Sequence, residues 1–212
     1  MIPGRFLALE GGEGAGKSTQ ATMLCEALRA RGLGVLQTRE PGGTPGAEAI
    51  RALLLDPPGQ GWQPGAEALL FAAARSDHVA RAIRPALEQG QWVVCDRFLD
   101  SSRAYQGGGG GVADDALLDL HRLGSRGLLP DLTLLLEVPA HAVVERLAKR
   151  DGGQNDAIGG RAGKYHAQVS AAFSRFAKSE SERFAVIDGA GTPAQIHRRI
   201  MLALGPLLDA AR

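Results

Sequence analysis

The chain has 212 residues, 44% of them hydrophobic and 5% aromatic, and its 24 basic and 23 acidic side chains give a net charge of +1. That length suits one domain with a buried core, and the balanced charge argues against a nucleic-acid or membrane partner. No apolar run nears the ~20 residues of a membrane span, and Cys25 and Cys95 share no motif spacing, so a reduced, cytoplasmic protein is expected.

Short apolar runs alternate with longer helical patterns along the whole chain. Residues 5–10 read as a first strand and 17–31 as a helix with Leu24, Ala27 and Leu28 on one face. A second strand is expected at 34–40, a loop at 40–46, and helices at 46–55 and 65–89. "QWVVCDRF" (91–98) is the third strand, and a glycine tract (107–111) precedes a helix at 113–127. "DLTLLLEV" (131–138) is apolar throughout, as a strand covered on both faces should be. Helices at 139–150 and 164–180, a strand at 184–188 and a helix at 193–210 complete the pattern. Five strands separated by helices predict an α/β fold, a three-layer, doubly wound parallel sheet in one domain spanning 1–212. The glycine-rich interval 151–163 is a candidate lid, taken with its flanks as about 148–165.

"GGEGAGKS" (11–18) fits G-x-x-x-x-G-K-[ST] between a predicted strand and a predicted helix. Gly11, Gly14 and Gly16 free the backbone to turn its N–H groups inward, so that Gly11, Gly12, Glu13, Gly14, Ala15 and Gly16 wrap phosphate oxygens. Lys17 then reaches the β- and γ-phosphates, Ser18 offers a hydroxyl to Mg²⁺, and Thr19 follows at the helix start. ATP with Mg²⁺ is the expected donor. Alone, the cradle leaves hydrolysis, switching and transfer open, although no guanine-reading Asn-Lys-x-Asp is present.

Asp96 ends the third strand, where a carboxylate can meet the metal or orient an incoming oxygen; Arg97 beside it can fork onto a second phosphate. Arg39 ends strand two and Arg51 lies one helical stretch on. Strand ends of an open parallel sheet converge on the ligand crevice. Arginines gathered there point to a phosphate-bearing acceptor rather than to water.

The ordered set "LEGGEGAGKST", "TREPGGTPGAEAIRALLL", "LLFAAARSDH", "DRFLDSSRAYQGGG" and "LLPDLTLLLEVP" resembles the thymidylate kinases over nearly the whole chain. The resemblance implies the phosphate-loop kinase fold, transfer from ATP to dTMP, and a homodimer formed through the helices near 65–89 and 113–127. It matches Glu10 to an acidic residue near the metal and the migrating phosphate. Arg39, Arg51 and Arg97 match residues around the acceptor phosphate, with Pro41 in the loop beside it. Phe71 matches a ring stacked on thymine and Arg75 a side chain on the base edge. Ser101, Ser102, Tyr105 and Gln106 match a segment touching base and sugar, with the tyrosine set against a ribose 2′-hydroxyl.

Members of the family bring an arginine to the migrating phosphoryl from the cradle or from the lid. Gly12-Glu13-Gly14-Ala15 contains none, so the lid is expected to supply it. Asp156 is followed by Ala157 where the family commonly has arginine, which leaves Lys149, Arg150, Arg161 and Lys164 as candidates; Arg161 is the favoured transition-state cation, with Arg150 nearer ATP. Residues 186–193 are placed like the loop flanking adenine.

Overall fold

The computed structural model describes residues 4–139, 143, 161 and 163–209. Five parallel strands, β1 (Phe6–Glu10), β2 (Val35–Arg39), β3 (Trp92–Asp96), β4 (Leu132–Glu137) and β5 (Phe184–Asp188), form one sheet in the order β2-β3-β1-β4-β5. The strand boundaries read from the apolar runs fall within one or two residues of these. All five residues of β1 are buried, because helices cover both faces of the sheet's centre.

Alternation along the strands splits the core in two. Leu7, Leu9, Val94 and Leu134 pack on one face against Leu24, Cys25 and Leu28 of α1 (Lys17–Arg29) and Ile196 and Ile200 of α8 (Pro193–Ala203). Phe6, Ala8, Val93 and Cys95 point the other way, onto Val79, Ile83, Phe98 and Leu99. Beside them Leu135 and Phe184 meet Val169, Phe173 and Phe176 of α7 (Gly163–Ser179). Both cysteines are free and buried, as expected.

Between β2 and β3 lie α2 (Pro45–Leu55), α3 (Pro64–His78), a π-helical turn (Val79–Ile83) and α4 (Arg84–Glu88). The single helix expected over 65–89 therefore widens by one turn just ahead of Pro85, whose ring cannot fit a regular α-helical interior.

The stretch after β3 departs further from expectation. Helix α5 (Leu99–Ser102) runs directly into a π-helical segment, Arg103–Gly109, so part of the glycine tract is helical; α6 (Asp114–Ser125) follows. Packing explains those glycines: a Cβ on Gly108 would stand 2.6 Å from that of Ala172, and one on Gly109 would strike the Tyr165 ring. The closing helix also divides, at Leu204, into α8 and α9 (Gly205–Asp209). Most of the helix expected at 139–150 and most of the lid, with Lys149, Arg150, Asp156 and Ala157, lie outside the described residues.

Candidate active site

Register brings the chemistry to one edge of the sheet. Leu9 and Arg39 both pair with Asp96, and Glu10 pairs with Leu135, so the carboxyl ends of β1, β2 and β3 open side by side. Above them lies a cavity of about 590 Å³. Glu13, Gly14, Gly16, Lys17, Ser18 and Thr19 line one part of it. Arg39, Pro41, Arg51, Phe71, Arg97 and the segment Ser101, Ser102, Tyr105 and Gln106 line another, with Asp96 at their junction.

The cradle owes its shape to glycine. Gly11, Gly14 and Gly16 have φ of 136°, 67° and 90°, and a Cβ on Gly11 would fall 2.5 Å from the carbonyl oxygen of Leu136. Ala15 is buried beneath the loop and Gly16 caps α1, leaving that helix's first N–H groups toward the cavity. Lys17 Nζ donates to the carbonyls of Gly11 (3.0 Å) and Gly12 (2.7 Å). Burial, reinforced by the nearby Arg97 guanidinium, lowers its ammonium to about 7. A phosphate oxygen would reverse that shift.

Ser18 Oγ donates to Asp96 Oδ2 at 2.6 Å, joining the cradle to the end of β3. Two hard oxygen donors facing a phosphate cradle fit Mg²⁺, which takes few protein ligands and fills its shell with phosphate and water. Glu10 does not join them. It is wholly buried, its Oε1 accepts from the backbone N–H groups of Phe98 (2.8 Å) and Ser101 (3.1 Å), and its Oε2 from Ser101 Oγ (2.6 Å). Desolvation, with Asp100 nearby, raises its carboxyl to about 7. Glu10, expected near the metal, thus caps α5 from a neighbouring strand and lies outside the cavity lining.

The arginines divide similarly. Arg97 has φ of 70°, a left-handed backbone that is costly for this residue and typical of functional positions. Its guanidinium donates to Gly11 O (3.2 Å) and Ser101 Oγ (3.1 Å) and lies 4.9 Å from the Tyr105 ring centre, between the two parts of the cavity. Arg39 pairs with Glu48 at 2.9 Å, and Arg51 donates to Pro41 O at 2.7 Å, so both flank the "EPGG" loop. Arg75 is absent from the lining. It is 4% exposed, with Nε on Glu40 Oε2 (2.7 Å) and one terminal nitrogen on Ser102 Oγ (2.8 Å) and Phe98 O (3.2 Å). Arg75, expected at the base edge, is thus joined to the cavity lining through Ser102.

Arg161 also sits apart from the phosphate end: it pairs with Glu67 of α3 and donates to the Tyr165 hydroxyl at 2.7 Å. Tyr165 in turn donates to Tyr105 O at 2.9 Å. The described position of Arg161 therefore does not offer its charge to the cradle. On the far side Gly191 and Pro193, within the loop expected to flank adenine, reach the cavity, and Gln20 Nε2 donates to Pro193 O at 2.9 Å.

Residue patterns missed three contributors. Glu40 is a buried counterion to Arg75 and also meets the His78 ring, and Glu67 bonds both Gln106 and Arg161. Asp100 is fully buried between Arg103 and Arg183 and anchors the Arg97–Gln106 segment to the chain beyond α7. Charged residues at helical spacing from known site positions were the available signal, but acidic side chains on helices are usually solvated.

The thymidylate kinase family model matches residues 9–200. The thymidylate kinase of Rhizorhabdus wittichii is 55% identical over 207 residues, covering 98% of this chain and all of that one. That of Chromohalobacter salexigens is 51% identical over 189 residues, 89% of each chain. A crystal structure of the Ehrlichia chaffeensis thymidylate kinase superposes with a TM-score of 0.78 at 31% identity, covering 95% of this chain and all of that one. With a phosphate cradle, an arginine-framed second pocket and these relatives in agreement, the chain belongs to the thymidylate kinase family.

Proposed function

We propose that the cradle holds Mg·ATP and that Arg39, Arg51, Arg97, Phe71 and the Ser101–Gln106 segment hold dTMP. The protein phosphorylates dTMP to dTDP, the reaction of its family. The bond from the γ-phosphorus to the β,γ-bridging oxygen breaks as one forms to an oxygen of the dTMP 5′-phosphate. No covalent enzyme intermediate is needed, because positioning and charge stabilisation suffice.

One observation carries this division of labour: a single cavity joins backbone donors and a lysine at one end to three arginines and an aromatic ring at the other. Lys17 lies at the donor phosphates and Arg97 between donor and acceptor. When bound, Mg²⁺ would be held by Ser18 and Asp96 and would neutralise phosphate charge. Tyr105, which lines the cavity, is assigned the exclusion of a ribose 2′-hydroxyl, which would favour deoxynucleotides.

We place the reaction in the cytoplasm, supported by two free cysteines; among the described residues no helix is long and apolar enough to cross a membrane. We also infer a homodimer, supported by exposed leucines on the expected helices, Leu69 of α3 and Leu123 of α6, at 58% and 84% exposure. Light scattering after gel filtration measures the mass directly. A coupled ADP-release assay offering dTMP, dUMP, dCMP, dGMP and thymidine tests the acceptor pocket. Strongest turnover with dTMP and none with thymidine is expected; equal turnover with thymidine would remove the role given to the arginines.

A further inference from the structure

Glu67 is an acidic residue on an apolar stretch of α3, one turn before Phe71, and is only 5% exposed. Its Oε1 accepts from Gln106 Nε2 at 2.8 Å, and its Oε2 pairs with Arg161. Gln106 is itself 1% exposed yet lines the cavity, among the residues that close its apolar end with Phe71 and Tyr105. A glutamine amide has two unlike ends, and which one meets a ligand decides what the ligand must offer. An ionised carboxylate only accepts, so Glu67 binds the NH₂ end and leaves the carbonyl Oε1 for the cavity. Arg161, donors only, keeps the carboxylate in that role.

We propose that Glu67 is a positioning residue for acceptor specificity: by holding the Gln106 amide with its carbonyl toward the cavity, it selects pyrimidines that carry an N3–H. This rests on the reading that the acceptor base lies against Gln106. Thymine and uracil present a donor at N3, whereas cytosine presents a lone pair. A fixed carbonyl would accept from the first two and repel the third, and a site built around a buried hydrogen bond rejects the mismatched ligand far more strongly than an apolar pocket does. The Phe71 ring reads only a flat base, and a methyl-sized space separates thymine from uracil only modestly. Glu67 supplies the distinction that neither of those makes.

Glu67→Gln tests the idea. Beside Arg161 the new amide turns its carbonyl to the guanidinium and its NH₂ to Gln106, which then flips and shows its own NH₂ to the cavity. kcat/KM for dTMP and for dUMP should fall roughly 10- to 100-fold while that for dCMP holds or rises, collapsing the ratio between them. The exchange Glu67→Gln with Gln106→Glu restores an acceptor-only group at the cavity and should recover most of the ratio. A residue that merely stabilised α3 would lower all substrates together and would not be rescued. Gln106→Leu separates the two levels of the argument. If it leaves the dTMP-to-dCMP ratio unchanged, the base does not meet Gln106, and the reading beneath the proposal fails. If it collapses the ratio while Glu67→Gln does not, Gln106 reads the base and Glu67 does not orient it. Should Glu67→Gln fold poorly, the exchange variant decides alone: loss of the ratio there overturns the proposal.

Discussion

Arg75 Nε lies 2.7 Å from Glu40 Oε2, and each side chain is 4% exposed. The carboxylate's other oxygen meets His78 Nδ1 at 3.1 Å, and His78 Nε2 meets Thr38 Oγ1 at 2.7 Å. A polar chain thus runs beneath the acceptor pocket from β2 to Ser102. Breaking it at one point leaves a buried charge without its partner. Glu40→Met or Arg75→Met alone should cost about 3–5 kcal/mol of stability, whereas the two changes together should cost much less. Urea midpoints of the two singles and the double check this; additive losses would mean that the pair is not coupled.

Lys17 gives a second outcome. Its ammonium is lowered to about 7 by burial and by Arg97, so above that pH the empty site holds a largely neutral lysine. A bound polyphosphate favours the charged form, and binding at pH 8 should therefore draw up to about one proton from solution. Affinity for ATP should weaken as pH climbs from about 7 toward the ordinary lysine value of 10.5. Calorimetry in buffers of different ionisation enthalpy measures the uptake, and Lys17→Met should abolish it. Turnover by that variant should fall at least a hundredfold, since the lysine faces charge that spreads in the transition state.

Most of the scaffold could be read directly because its signals are local. Continuous apolar runs mark strands buried on both faces, and G-x-x-x-x-G-K-S needs only a strand before it and a helix after it. Phe71, Arg97 and Tyr105 were also readable, since their motif carries them to the cavity. Arg75, Glu10 and Arg161 were not. Their partners, Glu40, the α5 N-terminus and Glu67, are distant in sequence, and only tertiary packing decides whether a charge faces a ligand or another side chain. The helical 103–109 segment was hidden for a similar reason. Its glycines disfavour a helix locally and are tolerated because α7 leaves no room for side chains there.

Glu10 predicts a pH effect on stability. Its folded carboxyl is raised from 4.5 to about 7, so between those values the folded chain keeps a proton that the unfolded chain has released. Stability contributed by this group is therefore greatest below 4.5 and declines as pH rises through about 7, by at most on the order of 3 kcal/mol. Glu10→Gln retains a carbonyl for the Phe98 and Ser101 amides and an NH₂ for the Ser101 hydroxyl. It should fold and show a flatter stability profile over pH 5–7. An unchanged slope would place the proton elsewhere.

Arg161 yields the last outcome, because its described position lies apart from the cradle where a transition-state cation is expected. Its guanidinium holds Glu67 and the Tyr165 hydroxyl, and Tyr165 holds Tyr105 O, all on the acceptor side of the cavity. Arg161→Ala frees one oxygen of Glu67 but leaves the bond to Gln106. A partly exposed ion pair contributes modestly, so KM for dTMP should rise roughly three- to tenfold while kcat stays within about threefold. Lys17→Met should show the opposite split. A hundredfold loss of kcat in Arg161→Ala with KM unmoved would return this arginine to the migrating phosphoryl, and would require its side chain to leave Glu67 during turnover.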